Sequence, residues 1–583
     1  MKRAFLGPVL ALSLAVIISA ACVAPALPAI GGEVHASSEA TFTATELLGR
    51  PTGNSVTVNV LAEQDLEVYF EYGTESGVYT GKTGAAEFPG GDPIEVVISG
   101  LQNDTRYYYR MVYREIGTTD WIARNEHSFH TQRSLNSTFT FTIISDSHLG
   151  AGGGNANLYQ RTLLNVRDDN PDFHLDLGDT FWMDNVNNTA GARQAYLAQR
   201  PYMGLISHSA PIFLALGNHE NEEGWNLDDT PSLPLLSANA RKLYYPNPVP
   251  DGFYSGNTDA SLAAINGDYL REDYYALQWG DALFVVLDPF WYTFTKPYSG
   301  AMGGEKNDET VIGDRWDWTL GEQQYQWFKQ TLQNSTATFK FVFAHHMTGG
   351  TQPYVRGGAE AAPYFEWGGL NANNTWGFDT KRPGWETPIH QLMVANGVTA
   401  FFHGHDHEYA MEKRDGIVYQ LCPQPSDSSY GYGFNLYRES DPYTDVVLPN
   451  SGHLRVRVSP SQVTVDYVRA YLSGGTNGQV AYTYTIMADS GNNSSTTPST
   501  PSPFTSPSSS TSSSPSSPPS MSLSPSPSPS PTPSPSPSPS PSPAPAPSPS
   551  GEAPPIDMYV IVTASVVIIA VAATAISLRK RAK

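Results

Sequence analysis

Thr138–His148 reads TFTFTIISDSH, an apolar run of strand length that ends in an aspartate and a histidine two residues apart. The same build recurs in DFHLDLGD (172–179), PIFLALGNHE (211–220) and FKFVFAHH (339–346), and a last fragment, FFHGHDH (401–407), carries a second pair of polar residues two apart. Successive strand side chains alternate faces, so Asp146 with His148, and His405 with His407, can each project toward one centre. Carboxylate, amide and imidazole donors suit Zn, Fe or Mn, and no cysteine stands nearby to make a closed thiolate site. Read in order, Asp146, His148, Asp179, Asn218, His345, His405 and His407 describe two metal ions that share one carboxylate in an open, water-accessible centre. A DxH or a GD turn alone is commonplace; the ordered coincidence of such fragments carries the reading.

Between these runs lie segments with helical periodicity, NLYQRTLLNVRDDN (157–170), AYLAQRPYMGLISHS (195–209), GEQQYQWFKQTLQNS (321–335) and TPIHQLMVANG (387–397). Strands alternating with helices predict an α/β layered domain, whose ligand sites fall in loops after strand ends. His174, His208 and His390 sit inside strand or helix patterns and are read as packing or surface residues.

The chain has 583 residues, with 34 Lys and Arg against 56 Asp and Glu, for a net charge of −22. That balance excludes charge-driven binding to nucleic acid or anionic membrane surfaces. A small anionic substrate remains compatible, because divalent ions reverse the local potential. Only Cys22 and Cys422 occur, so no disulfide framework is expected, and Cys422, beside GIVYQL, reads as a small buried apolar residue.

The two ends read as targeting and anchoring segments. Residues 1–29, with Lys2 and Arg3 ahead of the apolar run Val9–Ala21, have the build of a signal peptide; SAAC, ending at Cys22, resembles a lipoprotein cleavage site but departs from it at Ser19. Residues 489–556 are almost wholly Ser, Pro, Thr, Ala and Gly and predict a disordered, extended stalk. Within 557–583 the uncharged run Met558–Leu578 is long enough for a transmembrane helix, and Arg579, Lys580, Arg581 and Lys583 follow it. The positive-inside rule keeps that basic tail cytoplasmic, so the body is expected at the cell surface, outside a membrane crossed once.

Residues 38–134 show short alternating strands, SVTVNVLA, LEVYFEYG, IEVVISG, RYYYRMVYR and EHSFHT, and predict a small all-β sandwich. GLQNDTRYYYRMVY (100–113) resembles the strand-turn-strand end of fibronectin type III modules, including those ahead of the catalytic domain in purple acid phosphatases. This part holds no ligand cluster, His127 and His130 reading as surface or packing residues. It is expected to be a spacer or a wall of the substrate cleft.

Residues 136–488 form the second predicted domain, a catalytic domain with C-terminal strands. Together DSH, GD, GNHE, AHH and GHDH resemble the calcineurin-like metallophosphoesterase family across Phe139–Glu408. The resemblance implies a four-layer α/β/β/α sandwich and a centre of two divalent or trivalent transition-metal ions, Fe, Zn or Mn. It implies that Asp179 bridges them, with Asp146, His148 and His407 on the first ion and Asn218, His345 and His405 on the second. His345, which closes the strand, is taken as the ligand ahead of His346, and His403 as a packed strand residue. His219 is the expected catalytic acid, with Glu220 orienting it. Purple acid phosphatases carry a metal-bound tyrosine three residues after the bridging aspartate; here that position is Trp182, so their tyrosinate colour is not expected.

The expected activity is hydrolysis of a small phosphorylated substrate, with metal-activated hydroxide attacking phosphorus, first as a phosphomonoesterase of acid-phosphatase or nucleotidase type. A phosphodiesterase using the same site, or a non-catalytic surface binding or adhesion protein on this fold, are the alternatives. Insertions at Glu222–Arg271, Pro289–Trp318 and Met347–Glu386 are expected to build the substrate cleft.

Overall fold

Every second residue of the central strands faces one shared core. Phe139, Phe141 and Ile143, Phe173 and Leu175, Phe284 and Val286, Phe339, Phe341 and Phe343, and Phe402 all belong to it. The intervening residues face the other way: Ile144 packs with Tyr159, Leu163, Val166 and Ile206, while Leu283, Val285, Val342 and Phe401 pack with Tyr325, Phe328 and Leu332. The computed structural model describes residues 39–150, 153–260, 270–297, 314–349, 357–433 and 442–488. The leader at 1–29, the stalk at 489–556, the anchor at 557–583 and parts of all three insertions lie outside the described residues. Among the described residues no helix is long and apolar enough to cross a membrane.

The shared core lies between two mixed sheets. The six-stranded sheet runs in the order Ile212–Leu214, Phe173–Asp176, Phe139–Ile144, Gly452–Ser459, Gln462–Arg469, Val480–Met487. The eight-stranded sheet runs Ser255–Gly256, Tyr275–Trp279, Ala282–Val286, Phe339–Phe343, Ala400–His403, Ile417–Leu421, Tyr409–Arg414, Thr444–Leu448. Helices α1 (Ala156–Asp168) and α2 (Thr189–Ser207) contribute to the cluster outside the first sheet, and α3 (Leu233–Tyr244) packs beside α2. Helix α4 (Gly321–Asn334) and the short helix Ile389–Ala395 cover the second sheet. The first three strands of the six-stranded sheet are parallel, with Ile144, Asp176 and Leu214 in one row. Phe343 and Phe402 are likewise paired in the parallel part of the other sheet. Register therefore brings all five motif-bearing strands to an end on the same side of their sheets, and each motif follows within a few residues.

The insertion from Glu222 is not only loop. It contains α3, whose fully buried Arg241 makes a two-point ion pair with Glu222 at 2.7 and 3.0 Å and donates to the carbonyls of Arg271 and Glu272. A buried guanidinium needs all of these acceptors, so the pair ties the insertion to itself. Cys422 lies in the shared core, where burial pushes its thiol pKa well up.

The N-terminal part is all β: Leu47–Gly49, Ser55–Leu61 and Pro93–Ser99 form one antiparallel sheet, and Leu66–Gly73 and Arg106–Glu115 anchor the other. It is no detached spacer. Tyr109 donates to the carbonyl of His208 at the end of α2 (2.8 Å), Thr45 to that of Gly204 (2.6 Å), and His127 stacks on His208 with centroids 4.3 Å apart. Both parts fall in one compact unit.

Burial, then the charge of His127, push His208 down to about 4, although Glu46 pulls the other way. A histidine whose pKa is depressed on folding contributes stability that is complete above its ordinary value, about 6.5, and lost as pH falls toward 4. Thermal unfolding followed by circular dichroism is expected to show Tm dropping through that window, and His208→Gln should flatten the drop. The same pH slope in both proteins would contradict this role.

Candidate metal centre

The motif loops are held by backbone geometry that few residues adopt. Asp146, His148, Asp179, His405 and His407 all have positive φ, at 64°, 45°, 55°, 76° and 55°. Each such non-glycine residue costs of order 1 kcal/mol, a strain that concentrates at functional sites. Three motif glycines explain the close approach of the loops: a Cβ at Gly178 would stand 2.2 Å from the nitrogen of Gly217, one at Gly217 2.3 Å from Asp179 Oδ1, and one at Gly404 1.9 Å from Ser145 Oγ.

Backbone bonds cross-brace the loops. Asp146 N–H donates to Gly178 O (2.9 Å), His148 N–H to Asp179 O (3.2 Å) and Gly404 N–H to His345 O (2.8 Å). Glu220 makes the tightest brace: its carboxylate accepts from the amides of Gly217, Asp179, Thr180 and Phe181 at 2.6–2.9 Å, joining the GD loop to the GNHE loop. Burial and the charge of Asp179 push Glu220 upward in pKa, and the amides of Phe181 and Asp179 oppose that shift. Glu220 thus has no hand in orienting His219, contrary to the expectation from sequence. Asp184 does that work, its Oδ2 lying 3.0 Å from His219 Nδ1 while its Oδ1 accepts from Asn221 Nδ2 at 2.9 Å.

Six of the seven candidate ligands fall into two groups that share Asp179. Asp146, His148, Asp179 and His407 offer atoms within 4.8 Å of one another, as do Asp179, His345 and His405. Asp179 Oδ2 lies 3.3 Å from His148 Nε2 and 3.2 Å from His345 Nε2, so one oxygen faces both groups. His407 Nε2 is 3.2 Å from Asp146 Oδ1. Ring nitrogens face each other at 3.0 Å in both groups, His148 Nε2 with His407 Nε2 and His345 Nε2 with His405 Nδ1. His345 Nδ1 is 2.9 Å from the carbonyl of Leu177, which fixes that nitrogen as the N–H and leaves Nε2 as donor to an ion. Asn218, the seventh, opens the short 3₁₀ turn of GNHE and its buried Oδ1 has no hydrogen-bond partner among the described residues.

Buried acceptors without donors, paired imidazole nitrogens and a carboxylate common to both groups are what two cations would satisfy. The electrostatics agree. Burial opposes charge on Asp146, yet His345 and His407 hold its carboxyl well below the ordinary range. Burial likewise opposes charge on His148 and His345, but bonds to Asp146 and Asp179 pull His148 up to about 10, and the charges of Asp179 and Asp146 pull His345 up to about 9.

His346 is buried beside the second group, its ring edge-on to Phe290 and Trp318 and 4.7 Å from that of His405. His403 is a buried strand residue stacked on Phe401. His219 lies outside both ligand groups and beside them: its ring is 5.0 Å from His148, and the Trp182 indole stacks on it at 4.1 Å and 17°. The side chains of His219 and His407 are 16% and 15% exposed, whereas His345 and Asp146 are sealed, so the centre opens on the His219–His407 side.

A family model for calcineurin-like phosphoesterases matches residues 139–409. Among solved structures, PhoD superposes with a TM-score of 0.54 at 14% identity, over 77% of this chain and 90% of PhoD. A purple acid phosphatase, PPD1 from yellow lupin (Lupinus luteus) seeds, gives 0.49 at 15% identity, over 76% of this chain and 74% of the other. At these identities the likeness to PhoD speaks for the fold alone. No curated protein matches the sequence.

Glu220→Ala would leave four buried amides without their acceptor, at a cost of about 1–3 kcal/mol for each unsatisfied group. The purified variant is expected to lose both ions on dialysis, measured as metal per chain by elemental analysis. Two tightly retained ions would show that the brace does not set the centre.

Proposed function

Because residues 139–409 belong to the calcineurin-like phosphoesterase family and the chain is a metal-dependent phosphoester hydrolase, we propose that it releases phosphate from small monoesters outside the membrane. The observation that carries this reading is the sharing of Asp179 by two ligand groups beneath an opening where His219 is the other reachable imidazole. The leader-like start and the apolar run Met558–Leu578 with its basic tail support the cell-surface location.

Asp146, His148, Asp179 and His407 would hold one ion, and Asn218, His345 and His405, with Asp179, the other. When bound, the pair supplies Lewis acidity and an activated water at neutral pH. Around it the protein orients a proton carrier: Asp184 accepts from His219 Nδ1–H and turns Nε2 away from that bond, and in the imidazolium form the Nε2–H can protonate a departing alkoxide. Trp182 covers one face of that ring and keeps its plane fixed.

The purified full chain with Mn²⁺ or Zn²⁺ is expected to hydrolyse nitrophenyl phosphate at least ~10-fold faster than bis(nitrophenyl) phosphate. His219→Ala should keep its metal and lose turnover by ~100-fold or more, and Asp184→Asn should lose ~10-fold. Full turnover in His219→Ala at full metal occupancy would remove the assigned acid. Faster cleavage of the diester would reverse the substrate class.

The bridging role of Asp179 is tested separately by Asp179→Asn, which removes the shared charge. It is expected to lose metal and activity together, and two ions retained through gel filtration would contradict it.

A further inference from the structure

We infer that the N-terminal β-sandwich positions the bridging loop of the metal centre through Gln199 and Arg200 of α2. This rests on the functional reading only in taking Asp179 as the shared ligand. Gln199 Nε2 donates to the carbonyl of Thr180, the residue after Asp179, at 2.6 Å. Its neighbour Arg200 is fully buried and spends its guanidinium on another part of the chain: Nη1 donates to Asn59 Oδ1 (2.8 Å) and to Tyr244 O (2.6 Å), and Nη2 to Asn59 O (3.2 Å). Asn59 belongs to the strand Ser55–Leu61 of the sandwich and is itself fully buried.

A buried guanidinium without acceptors is costly, so Asn59 is what allows Arg200 to stay at this point of α2. Pro201 follows directly and has no N–H, leaving this turn of the helix one hydrogen bond short. The contacts of Gln199 and Arg200 hold the turn in place instead. Apolar packing runs the same way. Leu47 and Leu61 of the sandwich share one core cluster with Phe181 and Met183 of the bridging loop and with Tyr196 and Met203 of α2. From Asn59 to Asp179 the sequence of contacts is Arg200, Gln199, Thr180, each link a hydrogen bond or a peptide bond.

Gln199, Arg200 and Asn59 are positioning residues, so the test must separate positioning from stability. In the full-length chain, Asn59→Ala is compared with Val68→Ala, which cuts the sandwich core away from α2. A third variant, Asn59→Asp, keeps an acceptor for Arg200 while placing a charge near Glu95, 3.3 Å from the Asn59 amide. All three are expected to lower Tm. Mn²⁺ titration followed by electron paramagnetic resonance should show binding weakened ~10-fold in Asn59→Ala alone. Wild-type affinity in Asn59→Ala, or equal weakening in Val68→Ala or Asn59→Asp, would overturn the inference. Wild-type chain that binds Mn²⁺ but cleaves no phosphoester would sink the functional reading and leave this comparison intact.

Discussion

The carboxylate of Glu220, gathering the amides of Gly217, Asp179, Thr180 and Phe181, is the interaction on which the centre depends. A two-ion site needs ligands from loops that leave different strands, and each loop has its own peptide groups to satisfy. One buried acid meets the demand of two loops at once. It also fixes their spacing, because all four amides must converge on two oxygens. His219 N–H then donates to Asp179 Oδ1 at 2.8 Å, so the acid's own backbone is part of the same brace.

This rigidity is what lets the site hold five left-handed ligand residues. Their combined strain, at of order 1 kcal/mol each, would relax in a loosely supported loop. The support comes from below, where phenylalanines at alternate positions of both sheets fill a single core and register brings the strands to an end on the same side. From the side, the sandwich meets α2 through Asn59, Tyr109 and Thr45. The N-terminal part is thus a structural neighbour of the centre, not a tether.

What was legible in the sequence was the part that rests on period and order. Alternation predicted strands before Asp146, Gly178, Gly217 and His345, and each is a strand whose odd residues face the shared core. The seven candidate ligands were legible because they are polar residues at the ends of apolar runs. Three things were not. Asp184 lies in a loop with no pattern, and its pairing with His219 depends on how the loop turns after Asp179. Glu220 looked like a partner for its neighbour in sequence, yet the 3₁₀ turn at Asn218–Glu220 sends successive side chains in different directions. The helix α3 was lost inside an insertion because its helical face is matched to Arg241, a charged residue at full burial, which breaks the apolar pattern.

Charge placement completes the argument. The chain carries a large negative excess, and a centre for an anionic substrate would be compromised if every nearby acid were ionised. Burial prevents that. Asp176, under the bridging loop, is pushed up to about 8 by burial, although Thr180 and the Gly178 amide bond to it, and Glu223 is pushed up to about 8 by burial against the pull of Lys296. Burial shifts both toward the neutral carboxyl. Negative charge is left on Asp146 and Asp179, where imidazoles and cations can use it, and it is withheld from the acids behind them. Asp184 keeps its charge for a different reason: it is half-exposed near the opening, and its bond to His219 holds its pKa down against partial burial. Asp146 and Asp179 are as deeply buried as Asp176 and Glu223, so the imidazoles that face them, and not depth, separate the acids that serve ions from those that only shape the loops.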